Sequence, residues 1–242
     1  MQYIHLFNNT NKYYEARKTD YKEPWLSFVD DIKRCNYNKT ETEKLFVDLN
    51  LPSGNLWCIK NIGANTVEDL GNYYRWGDIN SCDNSSSTNN WAHYIYSTSD
   101  GTITKYNTTD GLYLLETSDD IAYVSLSKYI SDLYYPCIPT PDDFNELIQN
   151  CNRTYNRSDD TGINGSGQIY TSKLSSNFIY MPNTNDIDCY LWTSTTAVGA
   201  EFEKYAIQYQ WDDDYSRTGA VRISNSFKYY AYCIRPILKR LS

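Results

Sequence analysis

Leu49–Ala64 reads LNLPSGNLWCIKNIGA, and its punctuation decides how the chain is parsed. Pro52-Ser53-Gly54 is turn chemistry: proline presets φ early in a turn, and glycine accepts the positive φ that follows. Leu56, Trp57 and Ile59 come next, an apolar run long enough for one strand. Gly63 then permits a second turn. The unit is a framework element that feeds a core, and nothing in it argues for binding.

The rest of the chain supplies that core. Its 242 residues allow one large domain, or a small module plus a main domain. Hydrophobic content of 40% and 16% aromatics exclude wholesale disorder. There are 25 tyrosines, a residue suited to strands with one packed and one wet face, and equally to contact surfaces. The 22 basic against 30 acidic side chains leave a net charge of −8, which disfavours nucleic acid and anionic membrane as partners. No stretch approaches the roughly 20 apolar residues of a membrane span, and the first residues, MQYIHLFNNTNKYYEARK, lack the pattern of a signal peptide. The seven cysteines are widely spread with no CxxC pair, as expected of reduced, buried thiols, with a zinc cluster or disulfide scaffold as the second reading.

Three zones follow from the patterning. In residues 1–44, Tyr3–Phe7 and PWLSFV (Pro24–Val29) read as strands, Asn11–Arg17 as a helix, and CNYNKTETEK as a polar linker. Around the opening stretch and after it, residues 79–111 are rich in Asn, Ser and Thr and read as loops with short strands. In the third zone CIPTPDDFNELIQNC (137–151) predicts a helix. Thr140 caps it, Pro141 starts it, Asp142 and Asp143 sit at its positive end, and Phe144, Leu147, Ile148 and Cys151 form its apolar stripe. NFIYMP, EKYAIQYQW (203–211), GAVRIS and YYAYCIRPIL read as antiparallel strands. In EKYAIQYQW, Tyr205, Ile207, Tyr209 and Trp211 share one side, and Ala206, Gln208 and Gln210 the other.

These stretches, in this order, resemble the Fibrobacter succinogenes major paralogous domain, a group related to the C-type-lectin-like fold. The resemblance rests on VDLNLPSGNLWCIKNIGA with EDLGNYYRWGD, on LLETSDDIA (114–122), on IPTPDDFNELIQNC, on YLWTSTT (190–196) and on YCIRPI (232–237). It covers most of residues 45–238 and implies an α+β fold: a lectin-like domain over 45–242, mostly antiparallel strands with few helices, behind a small module at 1–44. EPWLSFVDDIKRCNYNK resembles a short module on virion proteins of crAss-like phages of gut Bacteroidetes. That second resemblance implies a virion protein assembled in the host cytoplasm and anchored to other virion proteins through residues 1–44, with Trp25, Phe28 and Tyr37 as anchoring residues. It also implies a homo-oligomer that meets host surface polysaccharide or another fibre protein.

Enzymatic signals are thin. His5 and His93 are the only histidines, and neither adjoins a nucleophile motif; no P-loop, GxGxxG or HExxH occurs. The lectin-like fold also hosts formylglycine-generating oxidases, which need a reactive cysteine pair. Cys189 and Cys233 could meet in space, but nothing in the surrounding sequence lowers a thiol pKa. Calcium-dependent lectins use a Trp-Asn-Asp triplet, whereas Trp192 is followed here by Thr193 and Ser194, so the resemblance implies no cofactor and does not favour calcium. WDDDY (211–215) clusters carboxylates, for which a solvated acidic turn is the simpler reading than a cation site. The same loop is the candidate ligand site: Trp211 and Tyr215 flank Asp212, Asp213 and Asp214, with Arg217 behind, an aromatic face beside hydroxyl acceptors. Core placement of Trp211 is the competing reading, and Trp57, Trp76 and Trp192 are expected in the core. A non-enzymatic phage fibre or decoration subunit is the first expectation. A Bacteroidetes glycan-binding adhesin and an oxidase of the formylglycine-generating kind are the alternatives.

Overall fold

The computed structural model describes residues 44–156, 163, 165–183, 188–199, 202–212 and 221–241. The elements expected within residues 1–43, and with them Trp25, Phe28 and Tyr37, lie outside the described residues.

The opening stretch forms a hairpin. Strands β1 (Phe46–Asp48) and β2 (Leu56–Cys58) pair antiparallel with Val47 opposite Trp57. Gly54 takes φ +72° in the turn between them, and its N–H donates to the Leu51 carbonyl at 2.9 Å. Gly63 and Gly71 (φ +82° and +77°) then let the chain double back, so that the Asn72 N–H reaches the Ile62 carbonyl at 2.9 Å. The C-terminal strand β10 (Ile237–Arg240) adds to β2, and β3 (Tyr134–Cys137) pairs with the other edge of β10, giving the order β1-β2-β10-β3.

Two antiparallel three-stranded sheets complete the β structure: β4 (Cys151–Asn156), β5 (Gly167–Ser172) and β6 (Phe178–Pro182), then β7 (Asp188–Thr196), β8 (Tyr205–Asp212) and β9 (Val221–Phe227). Two α-helices lie among the described residues, α1 (Ile121–Leu126) and α2 (Pro141–Asn150). Helix α2 forms with the start its sequence predicts, but it ends at Asn150, and Cys151, expected on its apolar stripe, begins β4 in extended conformation. The Thr140 hydroxyl accepts from the Asp143 N–H, and the Asp143 carboxylate accepts from the Thr140 N–H at 2.7 Å, closing a capping box. Its Phe144 and Leu147 are fully buried, each worth roughly 1.5–3 kcal/mol relative to exposure. Phe144 packs edge-on to Trp57 and face-on to Tyr209, which docks the helix on the hairpin and on β8 together.

Segments far apart in sequence lock one another. The indole N–H of Trp76 donates to the Thr193 carbonyl and that of Trp192 to the Tyr74 carbonyl, both at 2.8 Å. Arg235 is fully buried and uses its whole fork: to Asn61 Oδ1 (2.7 Å), the Cys58 carbonyl (2.9 Å) and the Tyr180 carbonyl (2.9 Å). It thereby joins the first sheet to β6. The continuous strand expected over YYAYCIRPIL is broken. Tyr232 and Cys233 make isolated bridges to Tyr74 and Leu191, and only Ile237 onward joins a sheet. The cause is local: Arg235 turns inward, and Pro236 has no N–H for a ladder, though its carbonyl accepts from the Cys58 N–H at 3.0 Å.

The sheet β7-β8-β9 is buried on one face along much of its length. Cys189, Leu191, Tyr209 and Trp211 enter a core cluster with Trp57, Phe144 and Ile237. On the opposite face Trp192 and Ala206 enter a second cluster with Trp76, Tyr106 and Ile234. The expected alternation in β8 is present, but each side is buried at a different end of the strand. Six of the cysteines, 58, 82, 137, 151, 189 and 233, are free thiols, all buried except the half-buried Cys82.

Candidate functional site

Trp211 is 1% exposed and stacks on Tyr155 with centroids 5.1 Å apart. It lies opposite Cys189 and Val221, on the side of the strand that Tyr209 also occupies. Of the two readings of Trp211 left open by the sequence, the structure has the core one, because position 211 falls in phase with the buried 209. The expected sugar platform therefore lacks its first ring. Asp212 closes β8 opposite Asp188, while Asp213, Asp214, Tyr215 and Arg217 lie outside the described residues.

Cys189 and Cys233 are both buried, with Cys233 bridged to Leu191. Burial pushes the Cys189 thiol up to about 12 and the Cys233 thiol up as well. Both are held as thiols at neutral pH, the opposite of what a reactive thiolate needs. Among the described residues no group of three His, Cys, Asp or Glu side chains could hold a metal ion, and no helix is long and apolar enough to cross a membrane.

The register of the third sheet points to a different surface. Residues directly opposite in an antiparallel pair share a face, so Tyr190, Gln210 and Arg222 form one row, and Trp192, Gln208 and Ser224 the next. The second row floors the face. Gln208 is buried, and its amide donates to Gln210 Oε1 (3.2 Å) and Ser224 Oγ (3.3 Å), while its own Oε1 has no partner. The first row is half-buried to exposed. Tyr232 leans over both rows, stacked on Tyr190 at 5.2 Å and tilted on Trp192 at 4.6 Å, its hydroxyl 2.9 Å from Ser226 Oγ. The result is a face of phenol, amide, hydroxyl and guanidinium groups beside the buried Trp192 and Gln208. Such a surface offers donors, acceptors and ring edges with little entropy to lose on binding.

The rings continue past the end of β9. Tyr232 meets Tyr230 (6.0 Å), Tyr230 meets Tyr229 (4.9 Å), and Tyr229 meets Trp91 (4.7 Å) in the 3-10 turn Trp91–His93. Beyond Trp91 opens a pocket of about 460 Å³ between the loop 100–109 and the turn 202–204, lined by Asp100, Thr102, Asn107, Thr109, Glu203 and Lys204. That volume falls within the ~300–1,000 Å³ of small-molecule sites.

Beneath the pocket sits Lys228. It is fully buried, donates from Nζ to the Tyr106 carbonyl at 3.0 Å, and lies over the rings of Trp76 (4.9 Å) and Phe202 (5.5 Å). Burial pulls its ammonium down to about 7, against the raising pull of Asp110 and Glu203. Tyr106 itself takes φ +59°, rare for a residue with a Cβ, held by its N–H on the Asp110 carboxylate at 2.6 Å.

Comparison of the chain with protein-family models, with curated proteins and with solved structures finds no match. Sequence reasoning missed the open face although its signal was present: Gln208 and Gln210 stand on the side of β8 away from Trp211. Nothing in the sequence marked Lys228 as buried.

Proposed function

We propose that the chain is a non-enzymatic phage virion protein, a fibre or decoration subunit whose C-type-lectin-like domain binds host surface glycan through the open face of β7-β8-β9. One observation carries the binding role: Tyr190, Gln210 and Arg222 form a half-buried to exposed row beside the buried row of Trp192 and Gln208, on a sheet whose reverse side is core. Amides and hydroxyls exchange hydrogen bonds with sugar hydroxyls, and the face of a tyrosine ring covers their C–H patches. The virion assignment is supported by the resemblance of residues 1–44 to phage assembly modules. Many copies on a particle would let each site be weak.

Mass spectrometry of purified particles tests the setting: the chain is expected among virion proteins, and deletion of residues 1–44 is expected to remove it from particles without unfolding the remainder. Particles lacking the wild-type chain would refute the virion role. A glycan array with wild type and Gln210→Ala tests the face, the variant being expected to lose signal; equal signal would remove the face as the site.

A further inference from the structure

The open face leads into the pocket. The rings Tyr190, Tyr232, Tyr230, Tyr229 and Trp91 touch one another in turn, with centroids 4.7–6.0 Å apart. The last lies beside Gly101, which also lines the pocket: a Cβ added there would lie 3.4 Å from Trp91 Cδ1. From the other wall, Tyr205 follows Lys204 in the chain and stacks on Phe227 at 4.3 Å, and Phe227 stacks on Tyr229.

The pocket is held in shape before anything enters it. Glu203 accepts from the Thr108 N–H at 3.0 Å and from the Thr108 hydroxyl, fastening the two walls together. Lys228 fastens them again from below through the Tyr106 carbonyl, while its own N–H donates to the Lys204 carbonyl at 3.0 Å. Asp100 is held by the Thr98 hydroxyl and the Thr102 N–H. The chemistry of the lining selects against anions. The carboxylates of Asp100 and Glu203, each kept ionised by its Thr partners, outnumber the ammonium of Lys204. They accept hydrogen bonds, as the hydroxyls of Thr102 and Thr109 and the amide of Asn107 can, which suits a ligand rich in O–H donors.

We propose that this pocket takes the terminal neutral pyranose of a glycan whose following units run over the tyrosine rings to the open face, so that the protein reads the end of an oligosaccharide rather than a lone sugar. The proposal rests on the glycan reading above and adds the terminal subsite to it. Titration calorimetry with glucose, galactose, mannose and N-acetylglucosamine, and with short linear oligomers of each, tests it. Wild type is expected to bind the oligomers of at least one series about tenfold or more tightly than its monomer. Thr109→Trp and Thr102→Trp, exposed positions on the same pocket, are expected to weaken monomer and oligomer alike by about tenfold. Gln210→Ala is expected to weaken only the oligomers, and thermal melts of all variants should match wild type. If both pocket variants bind as wild type while Gln210→Ala loses affinity, the pocket assignment fails and the glycan face stands. If wild type binds none of these sugars, both readings fail together.

Discussion

Replacing Lys228 by methionine should flatten the pH dependence of stability in a calculable way. The ammonium is fully buried with one hydrogen bond, to the Tyr106 carbonyl, and faces the rings of Trp76 and Phe202. The charged groups bearing on it are Asp110 and Glu203, both of which favour the protonated form. Burial wins, and the group falls from 10.5 to about 7. At ~1.4 kcal/mol per unit, the charged form costs up to ~5 kcal/mol more in the folded than in the unfolded chain. A lysine whose folded value is depressed imposes that cost in full below pH 7. The cost is relieved as the pH rises from about 7 towards 10.5, because the folded chain releases its proton while the unfolded chain still holds it. Between about pH 6 and pH 9 the wild type should therefore gain roughly 2–3 kcal/mol relative to Lys228→Met. Urea unfolding followed by tryptophan fluorescence across that range measures both proteins. Their difference should favour the methionine variant at pH 6 and shrink as the pH rises. Curves that run parallel would show that Lys228 does not carry a buried charge, and the reasoning would be wrong.

Arg235→Lys keeps the charge and loses the fork; with the Asn61, Cys58 and Tyr180 acceptors no longer all reached, it should cost about 3–5 kcal/mol in urea unfolding, and a loss under 1 kcal/mol would refute the clamp. Asp120→Ala removes the acceptor for the Ala122 and Tyr123 N–H groups that start α1, and orphans the buried Ile138 N–H, so a loss of about 2–4 kcal/mol is expected in the same assay. Gly71→Ala places a Cβ 2.3 Å from the Ile62 carbonyl oxygen at φ +77°. It should lower the melting temperature more than Gly111→Ala, which meets nothing within 4 Å at a comparable φ of +65°; equal shifts would mean that the contact is relieved by the backbone.

The elements most legible in the sequence were those whose causes are local. The Pro52-Ser53-Gly54 turn, the Thr140–Asp143 cap and the burial of Trp57, Trp76 and Trp192 all stand as read. What stayed hidden depends on partners distant in the chain. The pairing of β10 with β2 joins Ile237 to Trp57, and no short motif announces it. Lys228 reads as a loop lysine until Trp76, Tyr106 and Phe202 close around it. The outward side of β8 was ambiguous because alternation separates two faces without saying which is wet. Packing of α2 against Tyr209 settles that, and it takes Trp211 inside with it.

The parity of the β7-β8-β9 sheet has an evolutionary consequence. Cys189, Leu191, Tyr209 and Trp211 hold the frame, while Tyr190, Gln210, Arg222 and Ser224 project from the same strands to the other side. Frame and surface are written in alternate letters of one text. If the proposed glycan face is the binding site, a mutation at Gln210 or Arg222 changes what is recognised without asking the core to repack, so a lineage under pressure to follow a changing target revises its address and keeps its architecture.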